Sequence, residues 1–316
     1  MAAASKPSLP DIEEASARIR EVILHTPLVP LHSFEAPIDI FLKPEIHQAV
    51  TSFKIRGIFY AVASLSEEER GRGVSTVSAG NTAQALAWAA RYFDISARSL
   101  MPDSAPRSKI DAVRSYGATP VLVPVAEVFR YLREHGWEKE PYSFIHPWTN
   151  QDVITGHGSL GREILADMPE VETVFVPVGG GGLIAGVGSA LKAVQPSVKV
   201  IAVEPEECAS LHASLKAGRP ASVDCRTMCD GVAVPYITDE MFPLLRELVD
   251  GVVLVPEDEV KATIKRLALR DKMIVEGAGA LSLAAALSVP KEQRGKSVCI
   301  LTGGSIDPEK LVEILE

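Results

Sequence analysis

Lys54 stands in Thr51-Ser52-Phe53-Lys54-Ile55-Arg56-Gly57, at the start of an otherwise apolar helical stretch. An amine there is either a solvated surface charge or a nucleophile and base, because burial lowers a lysine from its ordinary pKa of about 10.4. Three further stretches join a β-branched run to a helical one through small residues: Ser78-Ala79-Gly80-Asn81-Thr82, Gly179-Gly180-Gly181-Gly182 and Thr302-Gly303-Gly304-Ser305. Such loops leave amides unpaired at the positive end of a helix dipole, where an anion is stabilised. One loop of this kind says little; three suggest a ligand with more than one anionic group. Four consecutive glycines are costly in chain entropy, which favours a functional reason over simple strand–helix packing. Two ligands fit that run. The amides of Gly179 to Gly182 could ring a phosphate. Alternatively, Gly180-x-Gly182-x-x-Ala185 matches a dinucleotide fingerprint, with Glu204 at the end of the next strand as the ribose-binding acid. The motif alone leaves both open.

Residues so far apart in sequence reach one ligand only if the fold gathers strand ends. Short β-branched runs alternate with longer helical stretches, without repeats or long linkers, which is the pattern of a parallel α/β sheet. Pro10 and Asp11 open a predicted helix to about Val22, and Ile38 to Leu42 reads as a strand. A helix from Lys54 to Leu65, a strand from Gly73 to Val77 and a helix from Asn81 to Tyr92 follow. Next come a strand at Ser99 to Met101, a helix between Pro106 and Gly117, and a strand from Pro120 to Pro124. Helices Ile154 to Met168 and Leu183 to Val194 flank an apolar strand from Thr173 to Val178. Val198 to Val203, Gly251 to Val255 and Ser297 to Thr302 are the later strands. Helices are expected at Ala209 to Ala217, Glu257 to Leu269, Gly277 to Leu287 and Pro308 to Leu315. Residues 73–143 hold several βα units of their own. They are expected to form a small mobile lobe carrying the Ser78 loop, inserted in a large lobe made of residues 1–72 and 144–316.

Hydrophobic residues make up 47% of the 316, enough for a sizeable core, and 41 acidic against 32 basic residues give a net charge of −9. That balance argues against a nucleic-acid partner, which demands a basic face. It leaves an anionic small ligand open, since backbone amides bind phosphate without net positive charge. The opening MAAASKPSLPDIEEASARI has neither a signal peptide's apolar centre nor a transit peptide's arginine bias. No apolar run reaches the roughly 20 residues that span a bilayer. A cytoplasmic protein without a membrane partner is the expectation. Four cysteines (Cys208, Cys225, Cys229 and Cys299) do not suggest a disulfide framework in a chain of this length. Cys225 and Cys229 could share a helical turn as half a metal site, but no nearby His or Cys pair completes it. Ordinary thiols are expected.

Leu42-Lys43-Pro44-Glu45 followed by Ser52-Phe53-Lys54-Ile55-Arg56-Gly57 resembles the cofactor-lysine segment of the fold-type II pyridoxal-phosphate enzymes. Their fold is that of tryptophan synthase β, two lobes each with a mostly parallel sheet flanked by helices. The branch it resembles contains the threonine and serine dehydratases and serine racemase, and the similarity runs nearly end to end. It implies that Lys54, preceded by Phe53, bonds covalently to the aldehyde of pyridoxal 5'-phosphate and then acts as general base. Ser78, Ala79, Gly80, Asn81 and Thr82 would bind the substrate carboxylate, with Asn81 also reaching the cofactor's ring hydroxyl. Gly179, Gly180, Gly181 and Gly182 would hold the phosphate, and Thr302 would hydrogen-bond the pyridine nitrogen. Glu276, in Val275-Glu276-Gly277-Ala278-Gly279-Ala280, and Gly231, in Asp230-Gly231-Val232-Ala233, match positions beside the cofactor. The implied reaction converts a small L-β-hydroxy amino acid, L-threonine or L-serine, to a 2-oxo acid plus ammonia by α,β-elimination. The cofactor phosphate would protonate the leaving hydroxide. A hydroxyl such as Thr302 beside the ring nitrogen gives a milder electron sink than a carboxylate, which suits loss of the β-hydroxyl over transamination. A homodimer is the family's usual state.

This sequence departs from the family pattern in places that touch the substrate more than the cofactor. Ala49-Val50-Thr51 replaces the usual Pro-Thr-Gly, Thr82 a frequent His, Ser305 a frequent Asn, and His157 the usual Gln between Gly156 and Gly158. The family's racemases carry a serine base at the position of Ala79, and alanine has no proton to give. A serine or hydroxyaspartate racemase is therefore the alternative reading; an NAD-dependent oxidoreductase is more remote, because it leaves Lys54, Asn81 and Thr302 without a task. The racemase branch also holds a structural divalent cation. Glu204 matches one of its carboxylate ligands, but Ser210 stands where a second acid is expected, and a hard cation prefers several oxygens. No metal is therefore assigned, with Glu204 the one candidate ligand. The chain ends at Glu316, soon after the last glycine loop, where biosynthetic threonine dehydratases carry a regulatory domain; a catabolic enzyme without isoleucine feedback is the expectation.

Overall fold

A computed structural model describes residues 4–32, 39–78 and 80–316. Among these residues ten strands form two sheets: β1 (Val29–Pro30), β2 (Ile40–Pro44), β3 (Val74–Val77), β4 (Ala97–Pro102), β5 (Thr119–Val123), β6 (Ser143–Phe144), β7 (Thr173–Pro177), β8 (Lys199–Pro205), β9 (Gly251–Val255) and β10 (Ser297–Leu301). The six-stranded sheet runs β1-β2-β10-β7-β8-β9 and the four-stranded one β5-β4-β3-β6. Every neighbouring pair is parallel except β1 with β2. Parallel strands need crossovers, and helices supply them, so both faces of the central strands are covered. β7 and β10 are buried at every position, which is why they read as continuous apolar runs and not as alternating ones.

The parallel α/β expectation holds, with element ends shifted by a few residues. The first helix, Leu9–Ile19, is fixed by a capping box in which the Ser8 side chain accepts from the Asp11 amide, and it stops short of Val22. The helix opening at Glu257 ends at Arg266 and widens into a π turn, Leu267–Asp271. Ile38, the expected first residue of its strand, lies outside the described residues. β1 and β6 have two residues each, too few to show a period. The unexpected helix Val125–Arg133 starts at Pro124, which reads equally well as a strand end. The helix Lys54–Ser64 joins one apolar core with β3, with the helix Asn81–Tyr92 and with Leu9–Ile19.

Beneath the Lys54 helix lies a cluster of buried charges. The Arg56 guanidinium grips two carboxylates, Glu45 at 2.7 and 2.9 Å and Glu163 at 2.7 and 2.9 Å. Lys43 Nζ is 2.8 Å from the same Glu163 carboxylate, and Thr26 donates to Glu45 at 2.8 Å. Arg56, Lys43 and Glu45 are fully buried. Burial would raise the Glu45 pKa, but Arg56, Thr26 and Lys43 together hold it below the usual carboxylate range. These groups come from β2, the turn after it, the Lys54 helix and the helix Gln151–Asp167.

The cysteines depart from expectation. Cys208 and Cys225 form a disulfide across 17 positions, while Cys229 and Cys299 are free and buried. Cys225 lies in an irregular segment and not one helical turn from Cys229, so the half-site for a metal is not formed. The bond ties the segment after the helix Ser210–Ala217 back to the end of β8.

Two stability outcomes follow. Arg56→Met strips Glu45 of its guanidinium partner in the interior, leaving only the Thr26 and Gln48 hydrogen bonds and the more distant Lys43, and should lower the unfolding free energy by about 3–5 kcal/mol in urea titration. The Cys208→Ala/Cys225→Ala pair opens a loop whose closure constrains the unfolded chain, and should cost about 3 kcal/mol under oxidising conditions. A midpoint identical with and without reductant would show that the two thiols are not joined.

Candidate active site

Four helices begin at one cavity, and none has a side-chain cap. Their N-terminal flanking residues are Phe53 (helix Lys54–Ser64), Gly80 (Asn81–Tyr92), Gly181 (Gly182–Val194) and Glu276 (Gly277–Ser288). Ser8, Ser66, Asn150 and Asp307 cap their helices; the other helix starts have no side-chain cap from their flanking residue, but they do not converge on one place as the four at the cavity do. Each uncapped start leaves backbone N–H groups unpaired and a partial positive charge. Together they make a basin for anions in a chain of negative net charge. The cavity, about 630 Å³, opens at the carboxyl ends of β3, β7 and β10 and is lined from both sheets. Its volume falls within the usual range for small-molecule sites.

Lys54 forms part of the wall, with Nζ 4.9 Å from the centre of the Phe53 ring. Its loop is stitched to the last glycine loop: the Phe53 amide donates to the Thr302 carbonyl at 3.1 Å, and the Gly304 amide to the Thr51 carbonyl at 2.9 Å. Burial lowers the Lys54 pKa to about 8, with the Glu276 carboxylate pulling the other way. Burial, reinforced by Asp230, raises Glu276 to about 7. Asn81 Nδ2 donates to Glu276 at 2.7 Å, so the second and fourth loops meet directly. Behind Phe53 the His157 ring packs at 4.8 Å, and burial, then Lys54 and Arg56, hold it well below its usual pKa and therefore neutral.

Ser78, Gly80, Asn81, Thr82, Gly179 to Gly182, Gly231, Glu276 and Thr302 all border the cavity with Lys54 and Phe53. Ala79 lies outside the described residues. Gly181 has φ 92°, and a β-carbon at Gly180 would lie 2.3 Å from the Trp148 ring, so this loop tolerates no side chain. Glu204 is elsewhere. Its two oxygens accept from the Leu211 and His212 amides at 2.7 and 2.8 Å, so it caps the helix Ser210–Ala217 from within the core. Burial raises its pKa to about 7. Neither a ribose nor an open metal position is served by that arrangement, and no cluster of three or more metal-ligating side chains occurs among the described residues.

Sequence reasoning missed several wall residues. Lys109 pairs with Asp230 across the cavity, and Trp148 covers the glycine loop. Lys109 falls beside Ile110 and Val113 on the buried face of the helix Arg107–Ser115, and a lysine in an apolar stripe was the legible signal. Trp148 sits between Pro147 and Thr149 in an irregular stretch and gave none.

Four polar atoms of the wall are buried without a partner: Thr302 Oγ1, Asn81 Oδ1, Glu276 Oε2 and Trp148 Nε1. Unpaired buried polar atoms are costly. Here they face a cavity ringed by amides and closed at one side by a lysine. A ring nitrogen would partner the Thr302 hydroxyl, a ring hydroxyl could donate to Asn81 Oδ1, a phosphate would take the glycine-loop amides and an aldehyde the lysine, so the residues present fit pyridoxal phosphate.

The comparisons agree with that fit. Residues 19–303 match the family model described as pyridoxal-phosphate dependent enzyme. The L-threonine ammonia-lyase of Thermotoga maritima is 42% identical over 98% of this chain and 78% of its own length. The catabolic L-threonine dehydratase of Escherichia coli is 37% identical over 97% of this chain and 95% of its own. Among solved structures, the T.th. threonine deaminase superposes with a TM-score of 0.87 at 36% identity, covering 95% of this chain and 99% of that one. Maize serine racemase gives 0.90 at 32%, covering 98% and 97%. On sequence, fold and the fit of the cavity, the chain belongs to the pyridoxal-phosphate dependent enzymes.

Proposed function

We propose that this enzyme is an ammonia-lyase that removes water and then ammonia from a small L-β-hydroxy amino acid, L-threonine or L-serine, releasing a 2-oxo acid. The observation that carries the reading is Lys54: a half-buried lysine with a pKa brought to about 8, at the meeting point of four uncapped helix starts. The names of the relatives at 42% and 37% identity support the substrate class.

Bound pyridoxal phosphate supplies the electron sink for the pair left when the α-proton departs. Gly179 to Gly182 would offer amides to its phosphate, Thr302 Oγ1 a hydroxyl to the ring nitrogen, and Asn81 Oδ1 would accept from the ring hydroxyl. Glu276 orients Asn81 through their 2.7 Å hydrogen bond. Ser78, Gly80 and Thr82 border the position for the substrate carboxylate. Lys54 would hold the cofactor's aldehyde and, exchanged for the substrate amine, would take the α-proton; a base with a pKa close to neutral is suited to that task. The β-hydroxyl would leave as water with a proton from the cofactor phosphate, and the return of Lys54 to the aldehyde carbon would free an enamine, which tautomerises and hydrolyses to 2-oxo acid and ammonia. A hydroxyl at Thr302, where a carboxylate would stabilise a longer-lived carbanion, favours this prompt elimination. Alanine at position 79 provides no second-face proton donor, which argues against racemisation. The reading includes a cytoplasmic homodimer in which residues 73–143 move as a small lobe against the rest. No helix among the described residues is long and apolar enough to cross a membrane.

The deciding test is 2-oxo acid release from L-threonine and L-serine by the parent and Lys54→Ala. The variant should lose at least ~10²–10⁴-fold in turnover, together with the visible absorbance of lysine-bound cofactor. No oxo acid from any β-hydroxy amino acid, with cofactor bound, would sink the proposal. Cofactor capture by the apoenzyme needs the neutral amine, so its rate should climb through about pH 8 as Lys54 deprotonates. Glu276→Gln removes the charge that favours the ammonium, and should move that midpoint to lower pH. A midpoint near the ordinary lysine value of about 10.4 would show an exposed amine.

A further inference from the structure

The cavity's lining has two chemistries. Lys54, the glycine loops and the orphaned oxygens of Asn81, Glu276 and Thr302 are polar. Another part of the wall is apolar. Val125, Val128, Phe129 and Leu132 line it from the helix Val125–Arg133, at the i, i+3, i+4, i+7 spacing that puts them on one face. Val128 and Leu132 are buried and pack with Val77 and Trp148, so this wall is braced from behind. Val223 and Pro235 line the cavity from the large sheet's side, in the segment that the Cys208–Cys225 bond tethers. Phe129 meets Tyr236 edge-to-face, ring centres 6.4 Å apart, joining the helix to that segment.

Charge sharpens the contrast. Lys54 and Lys109 are the cations of the lining, and Lys109 is already paired with Asp230. Asp224 and Asp230 both border the same space. A second carboxylate on the substrate would find Lys109 already taken up by Asp230 and would face Asp224. A substrate as small as serine would leave the apolar wall without a partner.

Resting on the dehydratase reading, we infer that the enzyme's preferred substrates are β-hydroxy amino acids whose β-substituent is apolar and larger than methyl, seated against Val125, Val128 and Phe129. A hydrophobic pocket discriminates by about 10-fold or more for each methylene it can bury. The ranking in kcat/KM for oxo acid release is therefore 3-hydroxyleucine and 3-phenylserine above threonine, threonine above serine, and 3-hydroxyaspartate last.

The test measures that ranking with the holoenzyme, beside calorimetric binding of L-leucine, L-phenylalanine and L-aspartate, which have no β-hydroxyl to lose. The expected result is a 10-fold or greater advantage of 3-hydroxyleucine or 3-phenylserine over threonine, with L-leucine or L-phenylalanine bound at least 10-fold more tightly than L-aspartate. Val125→Arg places a cation at the apolar wall from a position 44% exposed, so the fold tolerates it. It should lower the 3-phenylserine to 3-hydroxyaspartate ratio at least 10-fold; Phe129→Ala should reduce the preference for 3-phenylserine over threonine. Threonine or serine turned over best, or ratios unmoved in both variants, overturns the inference while leaving the dehydratase intact. Silence of every hydroxy amino acid sinks the dehydratase, and the binding series then decides: aspartate bound as well as leucine and phenylalanine overturns the apolar site too.

Discussion

Arg56 lies two residues after Lys54 on the same helix, and its guanidinium is committed to Glu45 on one side and Glu163 on the other. A bidentate grip on two carboxylates has little angular freedom. It sets how far the Lys54 helix is rotated and how deep it sits against β2 and the helix Gln151–Asp167. Isolated burial of these charges would be prohibitive; as a connected set they are tolerable only in this arrangement, so alternatives are penalised more than the native state is stabilised. The nucleophile's position is thus determined by an ionic joint beneath it, while the chemistry above it is left open to the ligand.

The same division runs through the helix ends. Ser8, Ser66, Asn150 and Asp307 cap their helices, while the starts at Pro106, Pro124, Ala209, Met241, Pro256 and Pro290 lack a side-chain cap, as the four at the cavity do. What sets the cavity apart is convergence: the parallel topology brings four such starts, flanked by glycine, phenylalanine or glutamate, to one place where a ligand can supply the missing partners.

The parallel α/β order was legible because β7 and β10 are buried throughout, with apolar runs after a leading Thr173 or Ser297, and their helices are long. The glycine loops and Lys54 were legible because strand–loop–helix junctions have few sequence solutions. Short elements such as β1 and β6 carry no period, and Val125–Arg133 was hidden by a proline that begins one element and ends another. Pairings across the fold left no trace of the partner: Lys109 stood out on its helix without pointing to Asp230, and neither Trp148 over Gly180 nor Cys208 with Cys225 was marked. Glu204 shows the opposite failure. Its place after a strand suggested a ligand, while its carboxylate in fact closes a helix inside the core.

The uncapped helix starts also bear on how much of this protein a cell maintains. Amides and orphaned oxygens that find partners only in the filled cavity make the folded state's free energy a function of cofactor supply. A ligand present at about a hundred times its dissociation constant adds about 2.7 kcal/mol to a fold, a large share of the margin that separates a persistent protein from one cleared by quality control. Abundance and catalytic competence are then governed by a single variable: chains that fail to acquire the cofactor are the ones most exposed to proteolysis.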